Sequence, residues 1–155
     1  MPTKFEPGHV KVHRRKRLPH WDAAHGIQFV TFDTNSIQLD APTAALIVDT
    51  LLHDDGRCYE LLVWCVMPDH VHVILRTTET IASLVKTWKS VSTRKINRHL
   101  KRRGALWQPD YFDRLIRDSE ELEKTIEYVV LNPITDELFE WPHVRSYPER
   151  IAAVY

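Results

Sequence analysis

The chain has 155 residues, 43% of them hydrophobic and 27% charged, and its 21 Lys and Arg balance 21 Asp and Glu. This is the composition of one ordinary globular domain, large enough to bury a real core. No run is apolar enough to cross a bilayer and the first residues lack the apolar core of a secretion signal, so a cytoplasmic location with no membrane partner is expected. Zero net charge argues mildly against a nucleic-acid partner, although the distribution of charge argues the other way.

Residues 1–26 read as an irregular arm carrying a basic cluster, Lys11, Arg14, Arg15, Lys16 and Arg17. Residues 27–32, Ile-Gln-Phe-Val-Thr-Phe, are rich in β-formers and predict a first strand. Asp40 can cap a helix with Pro42 in its first turn, running through Leu46, Ile47, Leu51 and Leu52 to Gly56. Two apolar runs, 59–66 and 70–76, flank Pro68-Asp69 and read as antiparallel strands joined by a short hairpin. Cys58 and Cys65 lie in or beside the first of them, without zinc-type spacing, and are expected as reduced thiols. Thr80 can cap a long helix carrying Ile81, Leu84, Val85, Trp88, Val91 and Ile96 and ending near Gly104.

After a loop at 106–110, residues 111–117 alternate as a fourth strand. Asp118 and Glu121 fit a capping box for a last helix over 118–133 with an apolar stripe of Leu122, Ile126, Val129 and Val130. Pro133 disfavours helix at Asn132, which should sit at the helix end. The tail, 134–155, is expected to pack back over the domain. The order β-α-β-β-α-β plus a helix is an α+β, ferredoxin-like arrangement spanning 1–155 as a single domain. Two helices then cover one face of the sheet and leave the other to the last helix.

Strand side chains alternate faces, so His70 and His72 point the same way while Val71 and Val73 point to the opposite face. Two adjacent imidazoles form half of a metal site, but alone the pair is a weak signal. Tyr128 and Asn132 are four apart on the last helix and share a face beside the stripe. By residue type alone, Tyr128 reads first as a packing residue and Asn132 as a helix stop. Arg94, Lys95, Arg98, Lys101, Arg102 and Arg103 make a second basic cluster, and Lys86, Lys89 and Arg94 read first as a solvated face of the long helix and second as phosphate contacts; Lys86, Lys89, Arg94, Lys95 and Arg98 are thus candidate DNA-binding residues. A solvated helix face is the simplest reading of either run; two of them beside candidate phosphate chemistry point to a nucleic-acid surface.

Several motifs, in order, carry a resemblance. They are Leu18-Pro19-His20-Trp21 before the first strand, Met67-Pro68-Asp69-His70-Val71-His72, and Leu106-Trp107-Gln108 with Tyr111-Phe112-Asp113-Arg114. The last are Tyr128 to Pro133, then Trp141 and Ser146. With them the chain resembles the REP-associated tyrosine transposases, within the single-tyrosine branch of the HUH endonucleases. The resemblance implies cleavage of single-stranded DNA beside imperfectly paired hairpins, with Tyr128 as nucleophile and a 5′-phosphotyrosine intermediate. It also implies magnesium or manganese held by His70, His72 and Asn132. Imidazole ligands suit manganese better than magnesium. Either a monomer or a homodimer fits the resemblance. Asp69 departs from the family, which often has Asn there, and Thr135-Asp136-Glu137-Leu138 lacks the Gly that commonly precedes the Leu. The alternative is a DNA-hairpin-binding protein with vestigial cleavage. An RNA-binding ferredoxin-like module ranks below both, because the strands carry no RNP-like aromatic motif.

Overall fold

The computed structural model describes residues 26–154. Arg14, Arg15, Lys16 and Arg17, together with the Leu18-Pro19-His20-Trp21 opening, therefore lie outside the described residues. The elements are β1 (Ile27–Asp33), α1 (Ala41–His53), β2 (Tyr59–Val66), β3 (His70–Thr77), α2 (Ile81–Leu100), β4 (Phe112–Ile116) and α3 (Ser119–Val130), followed by α4 (Asn132–Thr135), β5 (Val144–Ser146) and α5 (Pro148–Ala152). The five strands form one antiparallel sheet in the order β4-β1-β3-β2-β5. Strands β1 to β4 with α1 and α2 have the expected β-α-β-β-α-β arrangement, and β5 is an addition at the β2 edge.

Local chemistry accounts for the helix starts. Asp40 accepts a hydrogen bond from Thr43 N, Thr80 from Ser83 N, and Asp118 from Glu121 N, so each satisfies a backbone donor left over by its first turn. The long helix α2 stops at Leu100, short of Gly104, because Lys101 takes the left-handed conformation (φ 55°) and Arg102 N closes on Asn97 O.

Two cores sandwich the sheet. Val30, Phe32, Leu61, Trp64, Val66, Val71, Val73 and Leu75 pack with α1 and α2. Phe29, Leu62, Val63, Cys65, Met67 and Ile74 pack with Leu122 and Val129 of α3. Alternation alone would put residues 59, 61, 63 and 65 on one face. A β-bulge at Leu62 shifts the register and sends Trp64 and Val66 back to the α1/α2 side with Tyr59 and Leu61. The tail secures that bulge: Tyr147 N donates to Leu62 O at 3.0 Å, and Trp64 Nε1 donates to Tyr147 Oη at 3.1 Å. Trp141 Nε1 donates to Val66 O at 2.6 Å, so the tail packs back as expected. Cys65 is buried and free, and burial pushes its thiol up to about 12.

The last helix differs from the single element expected over 118–133. It breaks at Leu131, and Asn132 opens a second, four-residue helix. Pro133 has no N–H and its ring crowds the carbonyl four residues earlier, so the ladder cannot run through. Leu131 stays in the right-handed region (φ −86°, ψ 0°), which keeps Asn132 close to the path of α3.

Candidate active site

The register of β1 on β3 sets the site. Thr31 lies opposite His72 and Asp33 opposite His70, so Phe29, Thr31, His70 and His72 share the face covered by α3. His70 and His72 are almost wholly buried, with ring centroids 4.7 Å apart at 70°. Tyr128, half-buried on α3, lies with its ring 5.5 Å from that of His72 and edge-on to Phe29 at 6.4 Å. One turn on, Asn132 is buried and its Oδ1 is 2.8 Å from His70 Nε2. The four residues singled out from two distant stretches of sequence thus come together.

Each ring has a partner behind it. His70 Nδ1 donates to Asp69 Oδ1 at 2.7 Å, and His72 Nδ1 meets Thr31 Oγ1 at 2.8 Å. The 2.8 Å contact of His70 Nε2 with Asn132 Oδ1 is a hydrogen bond with Nε2 as donor, so a metal ion bound there would take the place of that proton. His72 is held well below the ordinary imidazole value, by burial first and by the charge of His70 second, with Asn132 opposing. It is therefore neutral at physiological pH. The hydrogen bond from His70 holds the Asp69 carboxyl below its ordinary range, against burial, and Gln38 Nε2 adds a bond to Asp69 Oδ2 at 3.3 Å.

Among the described residues, His72 Nε2 is buried and makes no hydrogen bond. Leaving such an atom unmatched costs about 1–3 kcal/mol, and a bare imidazole nitrogen is a good metal donor. Among the described residues no three His, Cys, Asp or Glu side chains are grouped to hold a metal. The available set is sparser: two imidazole nitrogens and one amide oxygen. Its chemistry fits a divalent transition ion, and its small number of protein donors leaves positions for phosphate and water. A polar cleft of about 230 Å³, lined by Asp33, Thr34, Gln38, Asp69, His70 and Gln108, gives access to the His70 end.

The cations of α2 lie elsewhere. Lys86, Lys89, Arg94, Lys95 and Arg98 are on a helix that packs against the opposite face of the sheet. Lys89 Nζ donates to Gln108 O at 2.7 Å and Asp110 O at 2.9 Å, which ties the 107–110 loop to α2. Lys95 Nζ reaches Thr50 Oγ1 at 3.4 Å, and Arg94 bonds back to Ser90. Trp107 is core: its ring meets Phe32 at 4.8 Å and its Nε1 donates to Ser92 Oγ at 2.9 Å. Thr31 and Phe29 escaped the sequence reading as site residues. Their place in the first strand was visible, but not the register that places them under the histidines.

The fold, with a histidine pair facing a helix tyrosine, has known counterparts. The family model described as "Transposase IS200 like" matches residues 48–132, more than half of the chain, and the chain belongs to that family. It is 25% identical over 113 residues to a Haemophilus influenzae protein assigned to the REP-associated tyrosine transposases, covering 63% of this chain and 64% of that one. It is 24% identical over 90 residues to the REP-associated tyrosine transposase of Escherichia coli, covering 56% and 53%. The matches thus span less than two thirds of either relative. A REP-associated tyrosine transposase solved bound to a REP hairpin superposes with a TM-score of 0.70 at 18% identity, over 96% of this chain and 88% of that one. That likeness establishes the fold. No helix among the described residues is long and apolar enough to cross a membrane.

Proposed function

We propose that this transposase is a metal-dependent single-stranded DNA endonuclease and strand transferase that acts at hairpins through Tyr128. The observation that carries the reading is the convergence of His70, His72, Asn132 and Tyr128 on one face of the sheet. The superposition with a transposase bound to a hairpin supports the choice of substrate.

His70 and His72 through Nε2, and Asn132 through Oδ1, would hold manganese or magnesium. When bound, the ion polarises a phosphate oxygen and offsets charge at the reacting phosphate. The Tyr128 phenol attacks phosphorus. Its O–P bond forms as the bond to the DNA 3′-oxygen breaks, a water takes the phenolic proton, and the 3′-oxygen gains a proton from water. The products are a 5′-phosphotyrosine and a free 3′-hydroxyl. The ester conserves the bond energy, so a 3′-hydroxyl can reverse the step without a nucleotide cofactor. Packing against Phe29 and His72 limits the rotamers of Tyr128, which lowers the entropy lost in reaching the attack geometry.

The test is a nicking assay on folded single strands taken from sequence flanking the gene. Cleavage should appear with manganese, at least as strongly as with magnesium, and vanish in EDTA. Full activity in chelator would remove the metal from the account. Tight hairpin binding with no cleavage in either metal would make the protein a hairpin-binding factor instead.

A further inference from the structure

The two imidazoles differ in what stands behind them. His72 Nδ1 meets a neutral hydroxyl, that of Thr31, whereas His70 Nδ1 meets the carboxylate of Asp69. The candidate ligands, two imidazoles and an amide, carry no charge of their own. We propose that Asp69 is a positioning residue for this centre: it holds a proton on His70 Nδ1, which leaves Nε2, on the Asn132 side, as the nitrogen that would meet the ion, and it supplies negative charge in direct contact with a neutral ligand set. The proposal rests on the metal-binding reading of His70, His72 and Asn132.

Three observations support a built arrangement over a chance contact between sequence neighbours. The turn that carries Asp69 is fastened to the segment between β1 and α1, with Thr34 N donating to Asp69 O at 2.9 Å and Leu39 N to Pro68 O at 2.8 Å. Met67 N closes the hairpin on His70 O at 2.7 Å. Gln38 reaches the second carboxylate oxygen, so the first stays aimed at the ring. Carboxylate partners of this kind raise the donor strength of a metal-bound imidazole and lock its orientation, and losing one typically weakens metal affinity 10–100-fold. An asparagine here could still accept the Nδ1–H bond but would bring no charge, so geometry and charge can be separated.

The experiment pairs two readouts on the DNA-free full chain. Ring nitrogen–proton correlation spectra of the metal-free protein at about pH 8 should show a proton on His70 Nδ1. Asp69→Asn should retain that proton and Asp69→Ala should lose the preference. Calorimetric titration with manganese should show affinity reduced about tenfold in Asp69→Asn, further in Asp69→Ala, and abolished in His70→Ala or His72→Ala. Unchanged manganese affinity in both Asp69 variants, or a wild-type His70 protonated on Nε2 alone, overturns the proposal while leaving the metal reading in place. A wild type that binds no manganese overturns the metal reading, and the proposal falls with it even where the ring spectra show the Asp69–His70 bond intact. The two failures are thus told apart.

Discussion

Glu137 closes α4 in a conformation that side chains resist, and replacing it with glycine should stabilise the protein. Its φ is +62°, in the left-handed region. The bonds around it form the pattern that usually ends in glycine: Glu137 N donates to Ile134 O at 2.9 Å, and Leu138 N to Pro133 O at 2.7 Å. A Cβ in that region crowds the following carbonyl at a cost of about 1–2 kcal/mol. Glycine gives back about 0.5–1 kcal/mol through its larger entropy in the unfolded chain. The difference is about 0.5–1 kcal/mol in favour of Glu137→Gly, a rise in Tm of about 1–4 °C for a chain of this size. The side chain is exposed, so little is lost with it. Glu137→Ala keeps the Cβ and should stay within about 0.5 kcal/mol of wild type. Urea unfolding of the three proteins measures this, and Glu137→Gly no more stable than Glu137→Ala would refute the reasoning.

Two further predictions concern pH and DNA. His72 binds its proton more weakly in the folded chain than in the unfolded one, whose imidazole titrates near about 6.5, so its contribution is complete above that pH and is lost as pH falls below it. In EDTA the urea midpoint should therefore drop between about pH 6.5 and 5, and His72→Gln should flatten the drop; identical slopes in the two proteins would contradict this. On DNA, a folded hairpin should bind more tightly than a linear single strand or a perfect duplex, with affinity falling steeply as salt rises. Charge reversal at Arg14, Arg15 and Arg17 should weaken binding more than reversal of Lys86 and Arg94, which sit on the face away from the histidines; equal binding to the three DNA forms would count against hairpin recognition.

The parts legible in the sequence were those settled by local chemistry. Asp40, Thr80 and Asp118 announce their helices because a cap bonds within its own first turn. The 59–66 and 70–76 strands show themselves by β-formers around Pro68-Asp69, and side-chain alternation puts His70 and His72 together. What stayed hidden depends on contacts between distant segments. The three residues of β5 have no pattern of their own and become a strand by pairing with the edge of β2. The bulge at Leu62 is a register event, and Tyr147 supports it from far along the chain. Thr31 joins the site only through the β1–β3 register. Charge along a helix does not reveal which groups it will tie down, and Lys89 is engaged by loop carbonyls.

Tyr128 is the attacking group of the proposed reaction, and the covalent adduct tests that role directly. Tyr128→Phe removes the attacking oxygen and leaves the ring to pack against Phe29 and His72. With manganese and a labelled hairpin substrate, the wild type should give a protein–DNA band that survives denaturing electrophoresis. Tyr128→Phe should bind hairpin and metal as wild type does, unfold near the same temperature, and form no such band. A covalent band from Tyr128→Phe would place the nucleophile on another residue and contradict the assignment.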